Sequence, residues 1–282
     1  MQIEIIKFIQ SMISPFWDMV FQIVTITGEE PFYILVAAIV FWCVNKKFGY
    51  KLGFALLTST IINTALKDAM NVPRPIGTPG IRSLRVETAG GQSFPSGHTQ
   101  GATTLWISAI IQVRKRWMFV IGSVAILLVG CSRLYLGVHW PIDVIGGIVI
   151  GIAWVFISNY IFDYAEATQK TWILMIIVVP MLIGMIFFRE KTYYTIAGTV
   201  CAFFVGYMVE SKYVQYDVRA TKLKQLLKLV FGLGILVILK GALKQILPIS
   251  IVADFFRYFV IGIWITVGAP YIFKKVIRQS EV

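Results

Sequence analysis

The chain holds two histidines, and both sit where an imidazole can move a proton or attack an electrophile. His98 closes the run Pro95-Ser96-Gly97-His98, just before a stretch that becomes apolar. Ser96 is a suitable helix N-cap, and Gly97 lets a ligand approach the backbone closely. A helix starting there presents free N–H groups and the positive end of its dipole to an anion, with His98 placed to donate a proton. His139 precedes Asp143 by four residues, so the two can face each other on a first helical turn in which Pro141 costs no hydrogen bond. A carboxylate accepting from one ring nitrogen fixes the tautomer and leaves the other nitrogen as a nucleophile. Three cations accompany them: Lys67 and Arg74 in K-D-A-M-N-V-P-R-P, and Arg133 in C-S-R.

Each grouping alone also fits a plainer role. Lys67 suits a lysine snorkelling to an interface, Arg74 a loop arginine on lipid phosphate, and His98 or His139 a histidine at headgroup level. Taken together, both histidines and three cations gather at the ends of four consecutive apolar segments. Three cations and a helix start ask for a phosphoryl group, because fixed donors best stabilise charge spread over its oxygens. A divalent metal would want more carboxylates or thiolates than Asp143 supplies, so neither a metal nor a cofactor is expected.

The elements that must position these residues are membrane helices. With 57% apolar and 14% charged residues in 282, the chain has too little polar surface to cover its apolar segments in water. A span needs about 20 apolar residues, and only a helix satisfies its own backbone in lipid. Segments of that kind run approximately 30 to 46, 48 to 68, 98 to 113, 117 to 136, 142 to 162, 171 to 188, 192 to 210, 226 to 247 and 252 to 273. The fold class expected is all-α, a polytopic membrane bundle of about nine transmembrane helices. Residues 1–28, with Glu4, Lys7, Asp18 and Pro15, read as an amphipathic interfacial helix and not as a removable leader.

The net charge of +12 could suggest nucleic acid, but its distribution follows a membrane rule. Lys46, Lys47 and Lys51, then Arg114, Lys115 and Arg116, then 212 to 228, then Lys274, Lys275 and Arg278 fall on one side of nine spans. That side is expected to be cytoplasmic, with the C-terminus, which puts the histidines on the extracytoplasmic face of a plasma or cytoplasmic membrane. Arg74, Arg82 and Arg85 in the loop from about 69 to 97 then lie on the side where basic residues are sparse. Arg82, Arg85 and Glu87 read as solvated loop charges, with a lid or headgroup contact as the alternative. Cys43, Cys131 and Cys201 are odd in number and widely spaced, and read as small buried hydrophobes. The glycines from Gly184 to Gly241 read as sites of close helix packing. Oligomeric state has no signature in the sequence.

The segments K-x6-R-P (Lys67 to Pro75), P-S-G-H (Pro95 to His98) and S-R-x5-H-x3-D (Ser132 to Asp143) resemble the three-part signature of the type 2 phosphatidic acid phosphatase (PAP2) superfamily. The resemblance covers 67 to 143 directly and extends to 30 to 162 as a six-helix core. It implies a domain plan of an N-terminal helix at 1–28, a phosphatase core at 29–165 and further membrane helices at 166–282. It implies a metal-independent phosphatase acting through a phosphohistidine. Carried over, His139 attacks phosphorus, Asp143 orients it and His98 protonates the leaving oxygen. Lys67, Arg74, Arg133, Ser96 and Gly97 hold the phosphoryl oxygens. The span count resembles sphingosine-1-phosphate phosphatases and glucose-6-phosphatases. The expected partners are the bilayer and a lipid phosphate or diphosphate; a soluble phosphomonoester, transfer to a lipid acceptor, and a non-catalytic transporter or scaffold remain open.

Overall fold

The computed structural model describes residues 1–276, in which all regular structure is helical. The helices are α1 (Gln2–Gln10), α2 (Pro15–Ile26), α3 (Glu30–Ile39), α4 (Lys46–Met70), α5 (Gly97–Val113), α6 (Arg116–Tyr135), α7 (Pro141–Ala167), α8 (Met175–Gly184), α9 (Lys191–Val209), α10 (Lys222–Ile246), α11 (Ile251–Ile263) and α12 (Ala269–Val276). Arg278 and the C-terminus lie outside the described residues.

Each expected apolar segment is helical over most of its length. Among the described residues, five helices are long and apolar enough to cross a membrane: α6, α7, α9 with its continuation to Val214, α10, and α11 through α12. Pro15–Ile26 and Glu30–Val44, bent by 52°, make a sixth if they form one span. The chain is an integral membrane protein on these helices. Helix α4 is long, but Thr58-Ser59-Thr60, Asn63-Thr64 and its lysines interrupt the apolar run. Helix α5 stops at 17 residues and buries polar ones. Its Thr103 and Thr104 hydroxyls donate to carbonyls one turn back, at 2.7 and 2.8 Å, so they enter the core satisfied. The stretch 1–28 is two helices where the sequence suggested one. Ser14 caps a new start by accepting from the Trp17 amide, and Pro15 takes the first helical position.

The chain divides into two compact units. The first joins Met1–Tyr33 to Ile62–Ile157 and contains every candidate site residue. Here α1 and α2 pack on α6, and Phe21 stacks on Tyr135 with ring centroids 4.3 Å apart. Phe21, Ala89, Tyr135, Leu136 and Val138 form an apolar cluster under the 71–96 loop. The loop is docked by its backbone, with the Leu84 amide donating to the Leu136 carbonyl at 2.9 Å and Ser83 Oγ to Gly137 O at 3.0 Å. Gln10 of α1 donates to the carbonyls of Arg82 and Tyr135 and accepts from the Arg82 amide.

The second unit comprises Ile34–Ile61 and the chain from Ser158 onward. Its centre is the α9–α11 pair, where Gly198 admits the Phe255 carbonyl and Gly206 admits Thr266. A Cβ at Gly234 or Gly241 would meet nothing within 4 Å among the described residues, so neither shows the packing role expected of it. Glu210 is fully buried and accepts from Lys46 at 2.9 Å and from the Tyr216 amide at 2.8 Å. Lys47 and Lys51 pair with Glu166 and Asp163. The three cysteines are free thiols, but Cys131 is exposed and the others half-buried; they are not the buried hydrophobes their apolar surroundings in sequence suggested.

Gly137 makes the turn between α6 and α7 possible. It has φ +65, and a Cβ there would run into the Arg82 carbonyl and lie 3.0 Å from Gln10 Nε2. Gly137→Ala is therefore expected to destabilise the protein by about 1–3 kcal/mol, read as a lower thermal unfolding midpoint in detergent.

Candidate active site

His139 lies in the turn between α6 and α7, and Asp143 in the first turn of α7. Both are buried, and Nδ1 of His139 is 3.2 Å from Oδ2 of Asp143. That oxygen also accepts from the Trp140 amide at 2.7 Å and from the Ser93 hydroxyl. Arg74 Nη1 lies 2.9 Å from Nε2 of His139. A guanidinium can only donate, so Nε2 is the acceptor and the proton sits on Nδ1, facing Asp143. The nitrogen carrying the lone pair is thereby defined by two contacts. Burial, and then the positive fields of Arg74, Arg133, Lys67 and His98, hold the imidazole well below the ordinary histidine range. His139 is neutral at pH 7 and suited to act as a nucleophile.

Arg74 contacts this histidine and the positive fields of Arg133 and Lys67 reach it, but the cations are held differently. Arg74 spends its donors on the carbonyls of Gly90, Gly91, Gln92 and Val138 as well as on His139. It thus pins the loop beside the imidazole. Arg133 is fully buried at the end of α6; its Nη1 donates to Thr25 Oγ1 at 2.8 Å, and Nε and Nη2 have no hydrogen-bond partner among the described residues. Lys67 stands in the last turn of α4.

The third contribution is the start of α5. Ser96 is buried and caps the helix, accepting from the Thr99 amide, while its own amide donates to the Asp143 carbonyl at 3.0 Å. That bond ties the α5 start to the first turn of α7. The Gly97 and His98 amides belong to the first-turn N–H groups that have no intrahelical acceptor. The close neighbour at Gly97 is Asn63, whose Oδ1 would lie 3.1 Å from a Cβ there. Asn63 in turn donates to Pro95 O and to Gln100 Oε1. Nε2 of His98 is buried without a hydrogen-bond partner, and its carbonyl accepts from Tyr33.

Two loop arginines depart from the sequence reading. Arg82 forms an ion pair with Asp18 of α2, which raises its pKa, and Arg85 pairs with Glu29 at 2.7 Å. Neither is a solvated loop charge or a headgroup contact; only Glu87 is exposed as expected. Sequence reasoning also missed Ser93, which holds Asp143, and Thr25, which holds Arg133. Ser93 stands two residues before the P-S-G-H run and carries no periodic signal. Thr25 is 108 residues from Arg133, and nothing local marks it. Trp140 ties its indole N–H to the Pro73 carbonyl at 2.9 Å, anchoring the loop that carries Arg74.

A helical membrane protein with two imidazoles, a buried carboxylate and converging cations is the class that this geometry defines. The model of the PAP2 superfamily matches residues 48–167, and a second, described as "PAP2 superfamily phosphatase, transmembrane extension", matches 194–280. The chain belongs to the PAP2 superfamily. It is 27% identical over 231 residues to a probable sphingosine-1-phosphate phosphatase of Dictyostelium discoideum, covering 74% of this chain and 56% of that one. It is 31% identical over 133 residues to an undecaprenyl-diphosphatase of Sulfolobus acidocaldarius, covering 45% and 62%. It is 28% identical over 182 residues to human sphingosine-1-phosphate phosphatase 2, covering 60% and 44%. The chain thus spans about half the length of these relatives. The crystal structure of LpxE from Aquifex aeolicus superposes with a TM-score of 0.52 at 28% identity, over 56% of this chain and 94% of that one.

With two histidines in the chain, a nitrogen-15 NMR titration can report each imidazole separately. His139 is expected as the neutral Nδ1–H tautomer at pH 7, with its titration below about pH 6.5. Arg74→Ala removes a neighbouring cation, makes the imidazolium less unfavourable, and is expected to move that titration to higher pH.

Proposed function

We propose that this protein is a membrane phosphatase that hydrolyses a lipid phosphate or diphosphate through a phosphohistidine on His139. The observation that carries the reading is the neutral, buried imidazole, whose lone-pair nitrogen faces Arg74 while Arg133 has two donors without partners. A nucleophile beside fixed cations is the arrangement phosphoryl transfer requires. The names of the relatives, phosphatases of sphingosine 1-phosphate and of undecaprenyl diphosphate, support a phosphorylated lipid. A site at the ends of membrane helices can take the headgroup while the tail stays among lipids.

In the proposed reaction Nε2 of His139 bonds to phosphorus as the bond from phosphorus to the leaving oxygen breaks. His98, protonated when the anionic phosphoryl group is bound, gives that oxygen a proton, and Asp143 steadies the positive imidazole. Lys67, Arg74 and Arg133, with Ser96 and the Gly97 backbone, hold the phosphoryl oxygens. Water then attacks phosphorus, His98 takes its proton, and the phosphorus–nitrogen bond breaks to release phosphate and neutral His139. No metal takes part in any step. Read over about nine spans, the distribution of basic residues supports an extracytoplasmic face for this site. Residues 29–165 form the catalytic core, and 166–282 add further membrane helices.

Purified protein in detergent with EDTA, given phosphatidate, sphingosine 1-phosphate, polyprenyl diphosphate and glucose 6-phosphate side by side, is expected to release phosphate from a lipid substrate. His139→Ala should abolish turnover, Arg133→Ala should lower kcat by about 10²–10³, and vanadate should inhibit. Release from glucose 6-phosphate alone would refute the lipid assignment. Full activity in His139→Ala, or no release from any substrate, would refute the mechanism.

A further inference from the structure

Arg133 is a fully buried guanidinium whose plane is set by one side-chain contact. Nη1 donates to Oγ1 of Thr25 at 2.8 Å, and the two nitrogens without a partner are Nε and Nη2. Those two form one edge of the guanidinium, where two N–H bonds run parallel and match two oxygens of a phosphoryl group. Because the group is planar and rigid, anchoring Nη1 restricts the directions that edge can take.

Thr25 is itself fully buried, near the C-terminal end of α2, where the helix dipole favours a cation. The end of α2 is held in register with the rest of the site. Asp18 pairs with Arg82 and accepts from Tyr135 Oη at 2.6 Å, and Phe21 stacks on Tyr135, two residues beyond Arg133. At Gly28, just after α2, a Cβ would lie 3.0 Å from Val129 Cγ1 and 3.2 Å from His98 Cβ, so the chain leaving the helix is packed against both α6 and the candidate acid. Thr25 lies outside both stretches matched by the family models, which begin at residue 48.

We infer that Thr25 is a positioning residue for phosphoryl binding: its hydroxyl holds Arg133 with the Nε–Nη2 edge turned to the substrate oxygens, so the N-terminal helices complete the oxyanion site. The inference rests on the phosphatase reading above. It makes α2 part of the catalytic apparatus through Arg133, with no contact between Thr25 and the substrate.

The test compares wild type, Thr25→Val, which keeps the shape and removes the acceptor, and Thr25→Ser, which keeps the acceptor. Each is purified in detergent and assayed for kcat and KM on whichever lipid phosphate the wild type hydrolyses, and for inhibition by vanadate. Thr25→Val is expected to lose about 10- to 100-fold in kcat, the scale of a misplaced catalytic group. Its KM should change far less, its vanadate inhibition should weaken in parallel, and Thr25→Ser should restore both. Unchanged kcat and vanadate inhibition in Thr25→Val would overturn the inference. So would equal losses in Thr25→Ser. Should Thr25→Val not accumulate as folded protein, Thr25→Ala takes its place; failure of both to fold while Thr25→Ser folds would assign the hydroxyl to folding and also overturn it. A wild type that releases phosphate from nothing tried would instead sink the parent reading.

Discussion

Positive charge brought out of water is the constraint on which the first unit is built. Lys67, Arg74 and Arg133 all act on His139, and burying a cation costs several kcal/mol unless other groups replace its hydration. The protein meets that cost differently at Arg74 and at Arg133. Arg74 is wrapped by the carbonyls of Gly90, Gly91, Gln92 and Val138. Arg133 lies against Thr25 at the carbonyl end of α2. Asp143 is the buried anion of the group, and three donors on one of its oxygens keep it in place. Burial, reinforced by positive potential, keeps the imidazole neutral, and that potential would attract a phosphoryl dianion.

Around this centre, backbone and ion pairs fix the positions of the parts. Ser96 connects the start of α5 to α7 through the Asp143 carbonyl. Trp140 connects the turn before α7 to the loop after α4 through Pro73 O, while the Ser93 amide closes that loop on the Val72 carbonyl and its hydroxyl donates to Asp143. Arg82 and Arg85 draw the outer loop onto the N-terminal helices through Asp18 and Glu29. Both arginines are thus matched by carboxylates from a segment some sixty residues earlier in the chain. These partly buried pairs are less screened by salt than surface pairs would be, which suits them to holding a loop in place.

Much of this was legible from residue types alone. A Pro-Ser-Gly-His run before an apolar stretch gives a capped helix, because an N-cap oxygen and a small following residue have few other uses at that position. A histidine four residues before an aspartate near a helix start gives a facing pair, because helical spacing leaves little choice. The apolar segments give helices, because lipid leaves a backbone no other partner. Where local reading failed, at the single helix expected over 1–28 and at the buried cysteines, a local signal was outweighed: Pro15 with its Ser14 cap restarted the helix, and Cys131 ended on the outer surface of α6.

What the sequence determined by itself was therefore the chemistry available: two imidazoles, one carboxylate, three cations, and the helix ends that carry them. Which nitrogen of His139 bears the lone pair, which edge of Arg133 is left without a partner among the described residues, and which partners neutralise Arg82 and Arg85 were decided by tertiary structure. Those outcomes depend on hydrogen bonds and ion pairs between residues as many as 108 positions apart, as at Thr25 and Arg133. Such contacts are created when α1 and α2 pack on α6 and the 71–96 loop closes over the α6–α7 turn, and a side chain's type carries no record of the partner that packing will bring to it.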